Sequence, residues 1–278
     1  MKRLLLLSFA LLTAGFSFSQ IQMPAPSPHQ TIVQDFGVGK ITLDYSRPSL
    51  RNRTVFKENS DLAPLGKMWR TGANMATKIH FSDAVTIGGK NIDTGAYAIY
   101  TIPGKAEWTI ILNKGFNNPG IEGYEQNLDV VRFTAPAKNV NPAAETFTMQ
   151  FADVQPERCQ LVLHWGNTMV NFPITTNVKD KVKAQIDAAL KGDKKPYWQA
   201  ANFYYEWQKD YPKALEYVNN AISENKEAFY MYMLKARIEK ELGDKSAAKS
   251  TADKVIELAK KVKNDDYVRM AEAFKKTL

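Results

Sequence analysis

The stretch GAYAIYTIPGKAEWTIILN, residues 95–113, shows how the first half of the chain folds. Its large apolar residues recur at every second position, at Tyr97 and Ile99 and then at Trp108, Ile110 and Leu112. Side chains two residues apart lie on the same face of a β-strand. The Pro103-Gly104 pair between the two runs marks a turn. The stretch therefore predicts two half-buried strands joined by a turn.

The same alternation recurs between residues 30 and 177. The further runs are Ile41/Leu43/Tyr45, Ile79/Phe81, Val85/Ile87, Phe147/Met149/Phe151, Leu161/Leu163/Trp165 and Val170/Phe172/Ile174. Gly88-Gly89 and Gly166-Asn167 each suit a two-residue hairpin. Eight or nine strands without helical patterns between them predict an antiparallel β-sandwich or barrel over residues 29–177.

From residue 178 onward the period changes to that of helices, so the predicted fold class is α+β with two domains. Trp198 and Tyr205 precede a turn at Asp210-Tyr211-Pro212, and Ala214 and Ala221 follow it. Small residues at such positions allow two antiparallel helices to pack closely.

A repeat of 34 residues, the period of a tetratricopeptide unit, separates Ala214 from Ala248. A second copy is predicted from Phe229 to Val262, with a turn at Gly243-Asp244, and residues 265–278 form a closing helix. Residues 178–278 therefore resemble a degenerate tetratricopeptide array. A generic helical bundle is the alternative.

The N-terminus has the pattern of a signal peptide. Lys2 and Arg3 precede an apolar run from Leu4 to Phe16, and small residues follow. We expect cleavage after Ser19, so that residues 1–19 are the signal and residues 20–28 a proline-rich lead-in. The predicted location is outside the cytoplasm, periplasmic or secreted and soluble. An uncleaved anchor is the alternative.

The chain's 278 residues carry a net charge of +8, with 37 basic and 29 acidic residues. Residues 178–278 contribute 21 basic and 16 acidic residues, which are interleaved rather than clustered with aromatic side chains. A solvated helix surface explains this pattern better than nucleic-acid binding does. No later stretch reaches eighteen apolar residues, so we expect no membrane-spanning segment in the mature protein.

Motifs for catalysis, metals or cofactors are missing from the sequence. His29, His80 and His164 lack HxH or HExxH spacing, and Cys159 is better explained as a small packing residue than as a thiolate. The segment Gly37-Val38-Gly39-Lys40 lacks the Ser or Thr and the helix of a phosphate loop. We therefore predict no catalytic residue, no metal and no cofactor, although distant strands could still assemble a site.

One polar cluster is denser than packing requires. Trp69, Arg70 and Asn74 lie between glycines, and Arg47 ends the strand that contains Asp44. Arginine offers a planar fork of donors, asparagine a donor and an acceptor, and tryptophan a stacking face. We therefore predict a site for a small or extended ligand at Arg47, Trp69, Arg70 and Asn74. The alternative is structural: Arg70 pairs with Asp44 or Asp61, and Asn74 caps a turn.

Several motifs between Ser27 and Ile174 resemble a family of exported domains of unknown function, number 2911. The motifs are DYSRP at 44–48, GKMWRTGAN at 66–74, TIGGK at 86–90, GAYAIYTIP at 95–103 and WTIILN at 108–113. The resemblance implies a secreted β domain of Gram-negative envelopes. It implies no activity and no catalytic residues.

We therefore expect an exported, non-catalytic binding or scaffold protein whose helical repeats bind a protein partner. Two alternatives stay open. The protein could be a periplasmic envelope hydrolase acting on glycan or peptide, with its site assembled from distant strands. The β domain could also be only structural, with the helices as the functional surface.

Overall fold

The computed structural model describes residues 23–278, and the predicted signal peptide lies outside them. The chain divides into two compact units, the first ending at Thr175 and the second running from Thr176 to Leu278. No helix among the described residues has both the length and the apolar character that crossing a membrane requires.

The first unit contains nine antiparallel strands in the described chain, and their order in the sheet is β1-β2-β3-β6-β7-β8-β9-β4-β5. The alternating pattern of the sequence accounts for them. The strands are β1 His29–Phe36, β2 Gly39–Ser46, β3 Thr77–Phe81, β4 Val85–Ile87, β5 Lys90–Ile92, β6 Gly95–Ile102, β7 Glu107–Asn113, β8 Asp129–Ala152 and β9 Arg158–Thr175. A 3₁₀ turn, Gln126–Leu128, precedes β8. Residues 23–28, the described part of the predicted lead-in, form no strand or helix, and β1 begins at His29.

The hairpin predicted at Gly88-Gly89 is confirmed. It joins β4 to β5, and both glycines have positive φ, 57° and 76°. That backbone conformation is the one a two-residue type I′ turn requires, and glycine adopts it without steric cost.

The hairpin predicted at Gly166-Asn167 is wrong. Gly166 lies inside β9 with φ of 55°, opposite Ala144 of β8, where the register of the β8–β9 pair shifts. A glycine at a bulge bends a strand without reversing it. The two apolar runs on either side of Gly166 therefore belong to one long strand.

The long strand β8 connects two parts of the sheet. Its first residues, up to Pro136, pair with β7, and its residues from Ala137 onward pair with β9. The far part of β8 then meets the end of β2: the Tyr45 hydroxyl accepts a hydrogen bond from Met149 N at 3.0 Å, and Ser49 forms a bridge with Thr146. Both parts of the sheet therefore enclose one core.

This core is rich in aromatic side chains. Trp69 and Trp165 stack at 5.6 Å between ring centroids, and Phe56, Trp108 and Phe147 pack edge-on or tilted around them. Large aromatic rings bury much apolar area with few rotatable bonds, so they stabilise a unit of this size effectively.

The second unit contains six α-helices in the described chain, and each packs on the next in sequence. They are α1 Val178–Ala189, α2 Tyr197–Phe203, α3 Tyr211–Glu224, α4 Phe229–Glu241, α5 Lys245–Lys261 and α6 Asp265–Lys275, and a π turn, Tyr204–Gln208, extends α2. Side chains that accept a backbone N–H fix the starts of four helices. These caps are Asn177, Asp210, Asp244 and Asn264.

Small residues lie where consecutive helices meet. Ala214, Ala221, Ala248 and Ala252 are all buried. An alanine at such a contact lets two helix axes approach because no longer side chain separates them.

Candidate functional site

The loop between β2 and β3 carries most of the predicted ligand site, and Trp69 anchors it to the sheet. Its backbone exchanges two hydrogen bonds with Thr101 of β6, at 2.8 and 3.0 Å. The indole is 6% exposed, and its Nε1 donates to Gly72 O at 3.0 Å. Trp69 therefore belongs to the aromatic core, and it does not offer the free stacking surface that the sequence analysis expected.

The turn after Trp69 has an unusual backbone. Thr71 and Asn74 have φ of 55° and 60°, and Gly72 has φ of 155°. A β-branched residue such as Thr71 is rarely found in this conformation, so the surrounding contacts must impose it. They include a hydrogen bond from Thr71 Oγ1 to Thr101 Oγ1 at 3.1 Å. A Cβ at Gly72 would lie 3.0 Å from Ser46 O, which leaves little room for any other residue.

Arg70 joins this turn to the loop that follows β7. Its Nη1 donates to Asn74 O at 2.7 Å and to Pro119 O at 2.9 Å. It forms no ion pair with a carboxylate in the described chain, so the alternative pairing with Asp44 or Asp61 is wrong. Asp44 instead lies 3.5 Å from Lys78 Nζ.

The loop that Arg70 contacts is itself held by Tyr100. The Tyr100 hydroxyl donates to Gly120 O at 3.3 Å and accepts from Asn118 Nδ2 at 3.0 Å. Burial raises the pKa of Tyr100, and the hydrogen bond from Asn118 and the positive charge of Arg70 offset part of that rise. The hydroxyl is therefore neutral and acts as a fixed hydrogen-bonding group.

Asn74 and Arg47 form hydrogen bonds with different parts of the β unit. Asn74 Nδ2 donates to Ser46 Oγ at 3.1 Å, so its side chain ties the turn to the end of β2 rather than capping a turn of its own. Arg47 donates to Phe147 O at 3.2 Å and to Thr148 Oγ1 at 2.9 Å. Arg47 thus bridges β2 to β8, and it is not among the residues that line the cleft described next.

A cleft of about 650 Å³ lies beside this turn, and Trp69, Arg70 and Asn74 are part of its lining. Its volume is in the range of small-molecule sites. Its other charged residues are Arg53, Lys67 and Asp61, and its apolar lining includes Leu62, Pro64, Met68, Ile121 and Trp165. The structure thus brings together three of the four predicted site residues.

Arg53 and Lys67 were missed by the sequence analysis. The signal that could have found them is the local charge: residues 47–70 contain six basic residues and two acidic ones. The net charge of residues 20–177 as a whole is only +1, which conceals this local excess.

A second, smaller cavity of about 260 Å³ is lined by His29, Asp44, Ser46 and Lys78, among others. His29 lies opposite Ser46 in the β1–β2 pair, and its Nε2 is 3.8 Å from Asp44 Oδ1. The Ser46 hydroxyl accepts its hydrogen bond from Asn74.

The other chemically notable residues lie apart. His80 is exposed on β3, and His164 is half-exposed on β9. Within residues 23–278, no three His, Cys, Asp or Glu side chains are grouped so that they could hold a metal ion. Cys159 is fully buried, and burial raises the pKa of its thiol to about 11, so the thiol is protonated at neutral pH.

The architecture defines an antiparallel β unit with a lined cleft, followed by a helical unit. Residues 27–174 match the family model described as Protein of unknown function (DUF2911), and the chain belongs to that family. Among solved structures, the solution structure of protein BPP2914 from Bordetella parapertussis is 13% identical. That similarity covers 37% of this chain and 88% of the other, with a TM-score of 0.31. No curated protein matches the chain.

Proposed function

We propose that this is an exported, non-catalytic binding or scaffold protein. Its β unit would hold a small ligand in the cleft beside Arg70 and Asn74, and its helical unit would bind a protein partner. The observation that carries the proposal is the cleft of about 650 Å³, whose lining combines charged and apolar side chains. Export to the periplasm or the medium rests on the signal-peptide pattern of residues 1–19.

Two finer features of the fold belong to this proposal. The contacts of β2 with the far part of β8 favour two facing layers, as in a β-sandwich or closed barrel. The sequential packing of the helices and the 34-residue spacing favour tetratricopeptide-like hairpins. Arrays of that kind present extended surfaces to protein partners.

The proposal is tested by filling the cleft. Ala73 lines it and is half-buried, so Ala73→Phe places a ring in the space that a ligand would occupy. Ala143 is exposed on β8 and does not line the cleft, so Ala143→Phe is the matched control. Thermal melting is recorded with a panel of neutral sugars, short peptides, organic acids and amines.

A ligand present at about one hundred times its Kd stabilises the native state by about 2.7 kcal/mol, which shifts the melting temperature by several degrees. We expect at least one compound to give such a shift in the wild type and in Ala143→Phe, and none in Ala73→Phe. The binding proposal fails if no compound binds, or if every shift survives in Ala73→Phe. The β unit would then be structural only.

The second cavity favours one other candidate, an envelope hydrolase acting on glycan or peptide. His29, Asp44 and Ser46 line it together, and these are the residue types of nucleophilic hydrolysis. No hydrogen bond joins Ser46 to His29 in the described chain, so the non-catalytic function is preferred.

Substitution of His29 distinguishes the two functions. If the protein is a hydrolase, turnover of peptidoglycan fragments or peptides is lost in His29→Ala. The same turnover is retained in His80→Ala, because His80 is exposed on β3 and lines neither cavity. Absence of turnover in the wild type removes this candidate.

A further inference from the structure

The cleft carries a local excess of positive charge. Arg53, Lys67 and Arg70 line it together with one acidic residue, Asp61. The β unit is otherwise close to neutral, because residues 20–177 contain 14 basic and 13 acidic residues in total. The excess therefore belongs to this place and not to the unit as a whole.

These cations form no direct ion pair with a carboxylate in the described chain. Asp61 lines the cleft without pairing with them, and Glu122, in the loop that Arg70 contacts, lies with Arg70 Nη1 against Gly120 but is not paired with it. Other lysines of the same unit do have such partners, as Lys40 has Asp35 at 2.7 Å. An anion in the cleft would therefore gain a charge partner without displacing one.

The two arginines are held by neutral groups that fix their direction. Arg70 uses Nη1 for two carbonyls and leaves Nη2 and Nε without an acceptor in the described chain. Arg53 donates from Nε to Leu50 O and from Nη2 to Ser49 O, both at 2.9 Å, and leaves Nη1 without one. Backbone carbonyls orient a guanidinium and leave its charge in place. Binding of a ligand then costs less conformational entropy, since these arginine side chains are already ordered.

The turn that carries Arg70 is equally constrained. Thr71 and Asn74 keep positive φ although they are not glycine, and the Trp69 indole beneath them is packed in the core. Strained backbone of this kind persists where surrounding contacts impose it, and it clusters at ligand sites. The donors of Arg70 are thus presented to the cleft by a rigid base.

The remaining lining selects the body of the ligand. Leu62, Pro64, Met68 and Ile121 supply apolar surface beside the cations, and Ile121 is 42% exposed. An inorganic anion would leave this surface in water, whereas an organic acid with an apolar body would cover it.

We propose that the cleft binds a small organic anion, a carboxylate or phosphate monoester with an apolar body, through Arg70 assisted by Arg53 and Lys67. This proposal rests on the binding function proposed above and names the class of its ligand. The planar guanidinium group of arginine can donate paired hydrogen bonds to a carboxylate or to a phosphate. The experiment therefore distinguishes these two head groups.

The probes form a matched set: acetate, 4-phenylbutyrate, its neutral amide 4-phenylbutyramide, and 3-phenylpropyl phosphate. Each is titrated calorimetrically into the full mature protein at about 50 mM and about 300 mM salt. We expect 4-phenylbutyrate or the phosphate to bind at least tenfold more tightly than the amide and than acetate, with affinity falling at the higher salt. Whichever of the two anions binds more tightly identifies the head group.

Three variants test the residues. Arg70→Gln should weaken binding of the anion roughly tenfold or more and leave the amide unchanged. Lys67→Gln should weaken binding of the anion less. Lys67 is exposed and makes no ion pair or side-chain hydrogen bond in the described chain, so Lys67→Gln keeps the fold even if Arg70→Gln destabilises it. Lys90→Gln removes the same charge from β5, away from the cleft, and should have no effect.

The outcomes separate the two proposals. If the amide binds as tightly as the anions and Ala73→Phe abolishes both, the anion inference is overturned and the binding function stands. If no anion binds while a neutral compound of the wider panel does, the result is the same. If Lys90→Gln weakens binding as much as Arg70→Gln, the effect is general charge attraction and the assignment of Arg70 is overturned.

Discussion

Replacement of Trp69 by alanine distinguishes a core residue from a ligand-stacking residue. The indole is 6% exposed and contacts four other aromatic rings, at centroid distances of 4.9 Å to Phe147, 5.6 Å to Trp165, 5.8 Å to Phe56 and 6.1 Å to Trp108. An aromatic side chain buries roughly 150–250 Å², worth about 4–6 kcal/mol at about 25 cal/mol/Å². Partial collapse of the cavity brings the expected loss to about 3–5 kcal/mol.

The assay must report on the β unit alone, because the chain contains two units. Native-state hydrogen exchange of peptides from residues 95–113 does so, since these strands lie at the centre of the sheet. A loss of about 3–5 kcal/mol accelerates exchange through global opening by a factor of roughly 100 to several thousand.

Trp69→Phe is the matched variant. It keeps a ring in the core and loses the hydrogen bond from Nε1 to Gly72 O, so we expect a smaller loss of about 1–2 kcal/mol. An effect of Trp69→Ala below about 1 kcal/mol, combined with a strong loss of ligand affinity, would refute the placement of Trp69 in the core.

Two further predictions concern buried titratable groups. Burial raises the pKa of Tyr45, so the folded protein keeps this phenol neutral at a pH where the unfolded chain ionises it. The contribution of Tyr45 to the free energy of unfolding is complete below about pH 10 and is lost as the pH rises through the folded-state pKa. Tyr45→Phe should therefore reduce the alkaline decrease in the free energy of unfolding, measured by urea titration. An unchanged decrease in the variant would contradict this prediction. Cys159, with its pKa raised to about 11, should react with iodoacetamide at pH 8 at least roughly 100-fold more slowly in the native protein than in urea, and rapid native alkylation would contradict its burial.

Much of the strand content could be predicted from the sequence, since alternation is a local property. Tyr97 and Ile99 of β6 and Trp108, Ile110 and Leu112 of β7 are buried as their spacing indicated. The prediction that these strands are only half-buried is wrong, because Ala98, Tyr100 and Ile111 on their other face are buried in a second apolar cluster. The turn at Gly88-Gly89 could also be predicted from the sequence. A two-residue turn needs positive φ at two successive residues, and glycine adopts that conformation readily. The turn predicted at Gly243-Asp244 was a local signal of the same kind, and α5 begins directly after it, at Lys245.

Gly166 shows where local information ends. A glycine with positive φ suits either a tight reversal or a bulge, and the choice depends on whether a partner strand continues past it. Here β8 is the partner from Ala137 to Ala152, and β9 stays paired with it on both sides of Gly166. The residue opposite Gly166 is Ala144 of the preceding strand, and a pattern of period two within β9 carries no information about that pairing.

The candidate site likewise has some properties that the sequence determines and others that depend on tertiary structure. Its residue types, a tryptophan, an arginine and an asparagine between glycines, and the excess of cations in residues 47–70 are properties of the sequence alone. Which side chain faces the core and which faces the cleft was decided by tertiary structure. Trp69 is held by Thr101 and by rings from three distant segments, whereas Arg70, the next residue, points to Pro119 of another loop. Adjacent residues of extended chain point in opposite directions, and only the packing of distant strands determines which direction is inside.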